Sequence, residues 1–396
     1  MDLPIVSRRF WLSRIAAAFS RRSLVWLPGV RRAGKTLLAR AIPGAVYFDC
    51  ELPSVRRALA DPEAFLDGHQ GLTLILDEVH RLPDPSEILK IAADHYPGIR
   101  VLATGSSSIT ASTKFRDTLT GRKTDVWLTP LNSLDMADFS MPQLERRLLN
   151  GGLPPYFLAG QPEESDFHDW MEAYWAKDIQ ELFRLQQFSS FRRFVEILFA
   201  QSGGIFEATR FAPPCEVSRP TIANYLSVVE STFVAHVIRP FSTRIATEIV
   251  SAPKVYAFDT GFACCYRGWI RLRPDDFGLL WEHFVLNEIH SRLPGQQVLY
   301  WRDKQHHEID FVLPVRGEKP APIAIECKWS AADFEPRNLM VFRGHYPQGR
   351  NFVVSQNVRV PFTRNYDKLR VEFVRPDGLI AALRPPERKP RARKKR

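Results

Sequence analysis

One stretch of eight residues constrains this chain more than any other: Gly29 to Thr36 reads GVRRAGKT. It fits the pattern G-x-x-x-x-G-K-[ST] at every position. The apolar run SLVWLPG leads into it, and the helical pattern TLLARAI follows it. A glycine-rich loop between a strand and a helix surrounds a phosphate with backbone N–H groups. The sequence therefore predicts an α/β domain that binds a nucleotide.

The residue types in this loop indicate separate roles. Gly29 and Gly34 permit the tight turn, Lys35 supplies a positive charge to the β- and γ-phosphates, and the Thr36 hydroxyl is a ligand for Mg²⁺. ATP and Mg²⁺ are therefore the predicted cofactors. The predicted nucleotide-binding residues are Gly29, Arg32, Gly34, Lys35, Thr36 and Leu37.

A second apolar strand, LTLILDEVH, ends in the acidic pair Asp77 and Glu78. We expect Asp77 to form the metal site together with Thr36. Glu78 is placed to activate an attacking water molecule as a general base. A small-molecule kinase would share the phosphate loop, but an adjacent glutamate favours hydrolysis over phosphoryl transfer.

Hydroxyl side chains follow the next apolar run, IRVLATGSS. Thr104 or Ser106 is expected to sense the γ-phosphate or hold the water, and the sequence does not choose between them. Further on, LTGRKTDV contains Arg122, a candidate contact of the γ-phosphate in cis or from a neighbouring subunit. The predicted catalytic residues are Lys35, Glu78, Thr104, Ser106 and Arg122.

The length of 396 residues is sufficient for two or three domains. The composition is that of a globular protein, since 45% of the residues are hydrophobic and 25% are charged. The formal net charge is +10, and Arg388–Arg396 alone holds seven basic residues. This run predicts a disordered arm that either binds phosphates or keeps the chain soluble.

No apolar run reaches the roughly 20 residues of a membrane span. The five cysteines lack CxxC spacing, so we expect a cytoplasmic protein without a zinc site.

The segment VSRPTIANYLSVVES in the middle of the chain is typical of a helix-turn-helix, with Ser218 capping the second helix. If this helix binds DNA, Arg219, Thr221 and Asn224 face the groove. Because the helix has one basic residue at its start, we favour the alternative that it packs as a structural lever against the nucleotide domain.

The order of GVRRAGKT, LILDEVH, ATGSS, LTGR, GGLP, YWAKDIQEL, PKVYAFDTG, WEHFVLNEI, EIDFV and IECKWS resembles that of a known family. These are prokaryotic AAA+ ATPases of the archaeal-ATPase type with a C-terminal domain of unknown function. The resemblance covers nearly the whole chain. In one departure, an acidic position of the family falls in PLNSLDMADF, where Asp135 or Asp138 would have to take it.

The resemblance implies an α/β fold with three parts. These are a P-loop AAA+ domain with a doubly wound parallel sheet, a winged-helix-like helical middle, and a C-terminal α/β domain like that of restriction endonucleases. We place them at residues 1–145, 146–245 and 246–384, with the basic tail at 385–396. The resemblance also implies assembly of identical subunits, with a ring as one form.

Nucleases of the restriction type place two acids and a lysine around Mg²⁺. Asp310 lies in the strand-like run EIDFVL, and Glu326 and Lys328 point to one face of the run IECKW. Glu282 on the preceding helix would complete this candidate second site. An ion-pair network that stabilises the fold is the alternative. The adjacent His306 and His307 are expected in a polar hairpin turn.

Three functions remain open at this point. The first is ATP hydrolysis that remodels DNA, branched DNA included, or moves the protein along it, with the nuclease-like domain as a binding module. The second is a magnesium-dependent nuclease gated by ATP. The third is a regulatory or defence switch in which the nucleotide controls a protein partner.

Overall fold

The computed structural model describes residues 6–106, 119–160, 162–183, 185, 187–242, 252–315 and 321–384. The predicted basic tail at 385–396 lies outside the described residues. The chain divides into two compact units. The first consists of Met1–Pro240 and Arg244–Asn287, and the second of Phe241–Thr243 and Glu288–Arg396. No helix among the described residues is long and apolar enough to cross a membrane.

The first unit contains a sheet of five strands in the order β2-β3-β4-β1-β5. Every neighbouring pair in it is parallel, so the carboxyl ends of the strands meet at one edge. The parallel sheet predicted from the sequence is confirmed. Its strands are β1 Leu24–Pro28, β2 Ala45–Asp49, β3 Thr73–Asp77, β4 Arg100–Gly105 and β5 Lys123–Asp125.

Both faces of this sheet are buried, which explains the unbroken apolar runs of its central strands. Val25 and Leu27 of β1 belong to one hydrophobic cluster, whereas Leu24 and Trp26 belong to another. Helices supply the cover on both faces. They are Arg9–Phe19, Lys35–Arg40, Pro53–Ala58, Pro62–Asp67 and Pro85–His95, with a 3₁₀ turn at Val79–Arg81.

Strand β5 ends at Asp125. Its pairing nevertheless continues past Asp125, because Val126 N–H donates to Trp26 O and Leu128 N–H donates to Pro28 O, both at 2.8 Å. A helical region follows in the same unit. It consists of Ser133–Asp138, Leu144–Asn150, Pro154–Leu158, Glu164–Tyr174, a π-helical turn at Trp175–Ile179 and Gln180–Phe183.

The rest of the first unit alternates helices with short strands. In order these are helix Phe188–Ala200, β6 Gly204–Ile205, helices Ala208–Cys215 and Arg219–Ser231, β7 Ala235–Pro240 and β8 Lys254–Ala257. Strand β8 pairs in antiparallel fashion with both β6 and β7. The Ser218 hydroxyl accepts a hydrogen bond from Thr221 N–H at 3.3 Å, so this helix begins at the predicted cap. Helices Thr260–Tyr266 and Asp276–Arg292 follow, and the second ends in the second unit.

The second unit is built on a mixed sheet. Strands β9 Leu299–Arg302, β10 Glu308–Leu313 and β11 Ile323–Cys327 form an antiparallel meander. Strand β12 Asn351–Val354 is parallel to β11, and β14 Leu369–Val374 is parallel to β12. The remaining elements are β13 Phe362–Tyr366, which pairs antiparallel with β14, a 3₁₀ turn at Ala331–Asp333, and helices Arg337–His345 and Pro376–Leu383.

Candidate functional site

The loop from Gly29 to Thr36 connects the carboxyl end of β1 to helix Lys35–Arg40. A Cβ atom at Gly29 would lie 2.5 Å from the Leu128 carbonyl oxygen, which is far closer than any side chain tolerates. Gly34 has φ +94°, a backbone conformation that favours glycine. Both glycines predicted from the motif therefore have a physical reason in this fold.

Lys35 is a buried cation, with 5% of its surface exposed. Its Nζ donates hydrogen bonds to the carbonyl oxygens of Gly29 at 2.9 Å and Val30 at 3.3 Å. Among the described residues, no acidic side chain forms an ion pair with Lys35. A buried cation whose protein acceptors are neutral favours a bound anion, because only an anion offsets the cost of desolvating its charge.

The Asp77 carboxylate at the end of β3 accepts hydrogen bonds from three hydroxyl groups. Thr36 Oγ1 and Tyr47 OH both donate to Oδ2 at 2.7 Å, and Thr104 Oγ1 donates to Oδ1 at 2.5 Å. Burial, together with this hydrogen bond to Asp77, raises the pKa of Tyr47 above its ordinary value. The carboxylate is thus held in one orientation by neutral donors that leave its charge intact.

Tyr47 was missed by sequence reasoning. The one signal was a hydroxyl side chain within the apolar run AVYFDC, and it gave no partner. The pairing of β2 with β3 places Tyr47 beside Ile75, two residues before Asp77. The guanidinium of Arg40 lies over the Tyr47 ring, 4.2 Å from its centroid, and stabilises the ring at this place.

Glu78 has φ +51°, a conformation that costs a non-glycine residue about 1 kcal/mol or more. Its backbone N–H donates to Thr104 Oγ1 at 2.9 Å, and its Oε2 lies 3.3 Å from His80 Nδ1. Thr104 therefore contacts both members of the acidic pair. Ser106 Oγ is buried and has no hydrogen-bond partner among the described residues. The two hydroxyls that the sequence left equivalent are thus distinguished by their contacts.

Two arginines of the loop contact the helical region of the first unit. Arg31 Nε lies 3.2 Å from an oxygen of Asp178, which is buried in the π-helical turn. Arg32 has φ +64° and donates to Tyr156 OH at 3.0 Å. Asp178 and Tyr156 were not predicted, because they follow the loop by more than a hundred residues. π-Helical turns occur frequently at functional sites.

A buried ion pair supports the loop from its other side. Arg8 binds Asp135 through two hydrogen bonds of 2.9 and 2.7 Å, and its third nitrogen donates to Ala33 O at 2.8 Å. Asp138, the other acid considered for this position, binds Arg9 near the surface. Asp135 is therefore the acid that is connected to the phosphate loop, through Arg8.

Arg122 lies away from these contacts, whereas Leu37 directly follows Thr36 in the helix after the loop. Arg122 precedes the amino end of β5, and its Nε donates to Asp94 Oδ1 at 2.8 Å. All five strands are parallel and the phosphate loop follows the carboxyl end of β1, so Arg122 belongs to the opposite edge of the sheet. A contact with the phosphate in cis does not fit this position, and a contact from a neighbouring subunit stays a prediction. The Leu37 side chain is 54% exposed.

The second predicted cluster lies in the second unit. Asp310 on β10 accepts a hydrogen bond from Cys327 N–H at 2.7 Å, and Glu326 on β11 forms an ion pair with Lys328 at 3.0 Å. Burial alone lowers the pKa of Lys328, but the carboxylates of Asp310 and Glu326 outweigh it and raise that pKa above its usual value. His306 and His307 lie in the turn between β9 and β10, and with Glu326 and Lys328 they line a polar cleft.

Glu282 belongs to the first unit, and it contacts Tyr256 and Lys254 of the same unit. Its carboxylate accepts a hydrogen bond from Tyr256 OH at 2.8 Å and lies 3.6 Å from Lys254 Nζ. Within the part of the chain that the structure describes, no group of three or more His, Cys, Asp and Glu side chains is placed to hold a metal ion. A metal site formed jointly by Glu282, Asp310, Glu326 and Lys328 therefore gains no support from the described residues.

The helix Arg219–Ser231 exposes one face and buries the other. Arg219 and Asn224 are exposed and Thr221 is partly buried. The buried face consists of Ile222, Tyr225, Val228 and Val229. The three residues predicted to face DNA thus lie on or beside the accessible side, with Arg219 as the one cation among them.

Three family models match consecutive parts of the chain. Residues 21–136 match an AAA domain, residues 141–273 a domain of unknown function (DUF8612), and residues 277–371 a domain of unknown function (DUF4143). The AAA match spans both the phosphate loop and the acidic pair. Together with their geometry, it defines the chain as a P-loop ATPase of the AAA+ class.

Two mycobacterial proteins match most of the chain. They are the uncharacterized proteins Mb2031c of Mycobacterium bovis and Rv2008c of Mycobacterium tuberculosis, each 30% identical over 347 residues, which is 85% of this chain and 77% of the relative. The chain belongs to the same family as these two proteins.

Solved structures resemble the chain more distantly. The Walker-type ATPase PABY2304 of Pyrococcus abyssi is 15% identical, with a TM-score of 0.43 over 66% of this chain and 96% of its own. DnaA of Aquifex aeolicus bound to AMPPCP is 13% identical, with a TM-score of 0.30 over 58% of this chain and 92% of its own. The McrB AAA+ hexamers of Thermococcus gammatolerans with bound McrC give 14% identity and a TM-score of 0.21, over 47% of each chain.

Proposed function

We propose that this AAA+ ATPase hydrolyses ATP to remodel DNA or to move along it. The observation that supports hydrolysis is the hydrogen-bond network around Asp77, in which hydroxyl groups of Thr36, Tyr47 and Thr104 hold one carboxylate beside the phosphate loop. This network joins residues from β2, β3, β4 and the loop at a single edge of the sheet. Ligands of open α/β sheets bind at this edge.

The donor set at this edge fits Mg²⁺, because a hydroxyl and a carboxylate oxygen are the ligands that this ion prefers. Thr36 and Asp77 would hold it, and when bound with ATP it neutralises charge on the phosphates. Lys35 binds the β- and γ-phosphates. Glu78 accepts the proton of the attacking water, and Thr104 fixes the positions of both acids.

We further propose that the active form is an assembly of identical subunits. Arg122 lies at the edge of the sheet opposite to its own phosphate loop, so it would act on the nucleotide of a neighbouring subunit. In its own subunit the Arg122 side chain is bound by Asp94. The hydrogen bond from Arg122 lowers the pKa of Asp94 below its ordinary value. When the subunits assemble, Arg122 would have to release Asp94 and bind the phosphate of the neighbouring subunit's nucleotide.

DNA is the proposed substrate on which ATP hydrolysis acts. The elements from helix Phe188–Ala200 to β8 follow the order helix, strand, helix, helix, strand, strand, which is the order of a winged helix. In our proposal this winged helix serves mainly as a lever that packs against the nucleotide domain. The exposed face of helix Arg219–Ser231 would contribute less to DNA binding, since it carries a single cation at its start.

The test is the rate of ATP hydrolysis in the presence of single-stranded, duplex and branched DNA. We expect at least one of them to raise the rate, and we expect Lys35→Ala to abolish turnover with and without DNA. If none of the three binds or changes the rate, the proposed DNA substrate is wrong. If Lys35→Ala retains normal turnover, the proposed ATP site is wrong.

A second candidate is a magnesium-dependent nuclease that is gated by ATP. It is favoured by the order helix, β9, β10, β11, helix, β12, which is that of restriction-endonuclease folds. It is also favoured by Asp310 and Glu326 on adjacent strands, with Lys328 directly after the end of β11. In this case Asp310→Ala should remove DNA cleavage and leave ATP hydrolysis intact. Absence of cleavage by the wild-type chain with Mg²⁺ or Mn²⁺ would exclude it.

A further inference from the structure

The positive charge of this chain is distributed unevenly. Residues 359–375 contain five basic and two acidic side chains, and Arg388–Arg396 contains seven basic ones. Residues 1–358, by contrast, carry almost no net charge. Outside the tail, the basic excess of the whole chain is therefore concentrated in one short segment of the second unit.

This segment folds as a β-hairpin at the end of the sheet. Strands β13 and β14 pair from Phe362 with Phe373 to Tyr366 with Leu369, so a two-residue turn joins them. The turn contains Asp367, whose φ of +53° is typical of a tight hairpin. Strand β13 is the last strand in the order of the sheet, and its first four residues are exposed.

The cations of this hairpin are exposed and without ion-pair partners among the described residues. The two acids beside them that form ion pairs do so with other arginines: Glu372 binds Arg350 at 2.8 Å, and Asp377 binds Arg292. Asp367 is the one acid within the hairpin that remains exposed. The exposed cations are Arg359, Arg364, Lys368, Arg370 and Arg375.

One of these cations is held in place by aromatic rings. Phe362 stacks on the buried Phe373 with ring centroids 4.7 Å apart, and the Arg364 guanidinium lies 5.3 Å from the centroid of Phe362. This contact reduces the freedom of a long side chain, so less entropy is lost when its charge meets a partner. Phe362 itself is 37% exposed and offers an apolar surface beside the charge.

We propose that this basic hairpin, residues 359–375, binds the phosphate backbone of duplex DNA. Clustered cations without acidic partners among the described residues complement a polyanion, and they bind it with release of the counterions condensed on the DNA. The inference rests on the proposed function, because DNA is its partner. It goes further by naming the surface that makes the contact, which shares no residue with the winged-helix-like segment or with the cluster of Asp310, Glu326 and Lys328.

The experiment measures binding of the full chain to a fluorescent duplex by anisotropy, over a series of KCl concentrations. The variant combines Arg359→Gln, Lys368→Gln and Arg370→Gln, and spares Arg364 because that residue packs on aromatic rings. We expect the slope of log affinity against log salt to become less steep by roughly 2 to 3, about one unit for each lost phosphate contact. Affinity should fall by roughly 10-fold or more at moderate salt.

A matched variant removes the same charge elsewhere, through Arg21→Gln, Arg22→Gln and Arg271→Gln, all of which are exposed. It should bind DNA like the wild type, and both variants should keep the wild-type melting temperature and the ATPase rate without DNA. If the wild type binds the duplex but the two variants bind it equally well, the hairpin surface is wrong and the proposed function stands. If the wild type does not bind, the DNA partner itself is wrong.

Discussion

Two clusters of acid and lysine in this chain differ in how they balance charge. At the phosphate loop, Asp77 is held by hydroxyl groups and Lys35 by backbone carbonyls, so neither charge is neutralised by an opposite charge among the described residues. In the second unit, Lys328 pairs directly with Glu326 at 3.0 Å. Asp310 is bonded by the backbone N–H of Cys327.

The difference separates a site arranged for a charged ligand from one that satisfies itself. Buried charges without opposite partners are costly, so a fold retains them where a ligand supplies the missing charge. Lys35 and Asp77 fit that case. Lys328 and Glu326 already compensate each other, and a metal ion at the second cluster would have to displace or rearrange this pair.

The largest effect is expected for Glu78→Gln. The amide keeps the shape of the side chain but accepts no proton from water, so ATP turnover should fall by roughly 100- to 1,000-fold. ATP affinity should change little, because Glu78 makes no contact with the loop in our proposal. Turnover is measured by phosphate release and affinity with a fluorescent ATP analogue.

The matched change at the second cluster is Asp310→Asn. It should leave ATP turnover within about twofold of the wild type, because this carboxylate has no role in hydrolysis in our proposal. Equal losses of turnover in the two variants would contradict the separation of the two clusters.

An intermediate effect on stability is expected for Lys328→Met. The substitution removes the ion pair of Lys328 with the buried carboxylate of Glu326, which costs about 2 kcal/mol. The loss is smaller than for a fully buried pair because Lys328 is 29% exposed. Denaturant unfolding of the full chain measures the loss.

The double variant Glu326→Gln with Lys328→Met supplies the control for that experiment. It removes both charges and should recover most of the lost stability. A single variant that unfolds like the wild type would show that the ion pair does not stabilise the fold. Recovery of the Lys328→Met variant by Mg²⁺ alone would instead indicate that these carboxylates bind metal.

The smallest effect is expected for Tyr47→Phe. Loss of one hydrogen bond leaves the Asp77 carboxylate less firmly oriented, which should weaken the free energy of Mg²⁺ binding by about 1 kcal/mol. This corresponds to a roughly 3- to 10-fold weaker apparent affinity for Mg²⁺. The release rate of a fluorescent ADP, measured against Mg²⁺ concentration, reports this without turnover. Tyr96→Phe is the control, since the Tyr96 hydroxyl faces Glu63 O. Identical Mg²⁺ dependence in both variants would exclude a positioning role for Tyr47.

The sequence predicted the parallel sheet and the loop well, because each signal there is local. Gly29, Lys35 and Thr36 lie within eight residues of one another, so they are close together in space as well. Asp77 ends its own strand, and the end of that strand lies at the same edge of the sheet as the loop. The sequence did not predict the order of the strands in the sheet, β2-β3-β4-β1-β5, because that order depends on how the chain crosses from one strand to the next.

The contacts that sequence reasoning missed join residues far apart along the chain. Arg8 and Asp135 are separated by 127 positions, and Arg31 and Asp178 by 147. No periodicity connects such residues, since their encounter depends on how helices pack against the sheet. Arg122 shows the reverse case, in which a residue near the motifs in sequence lies at the wrong edge for a contact within its own subunit.

The sequence by itself thus determined the class of this protein, the phosphate loop and the acidic pair. Only the tertiary structure decided that Thr104 and Tyr47 hold Asp77, that Glu282 contacts Tyr256 and Lys254 of the first unit, and that the cations of residues 359–375 are exposed on one hairpin. The reason is physical. Local motifs fix which groups are present, whereas strand register and packing fix which of them share a hydrogen bond or a charge.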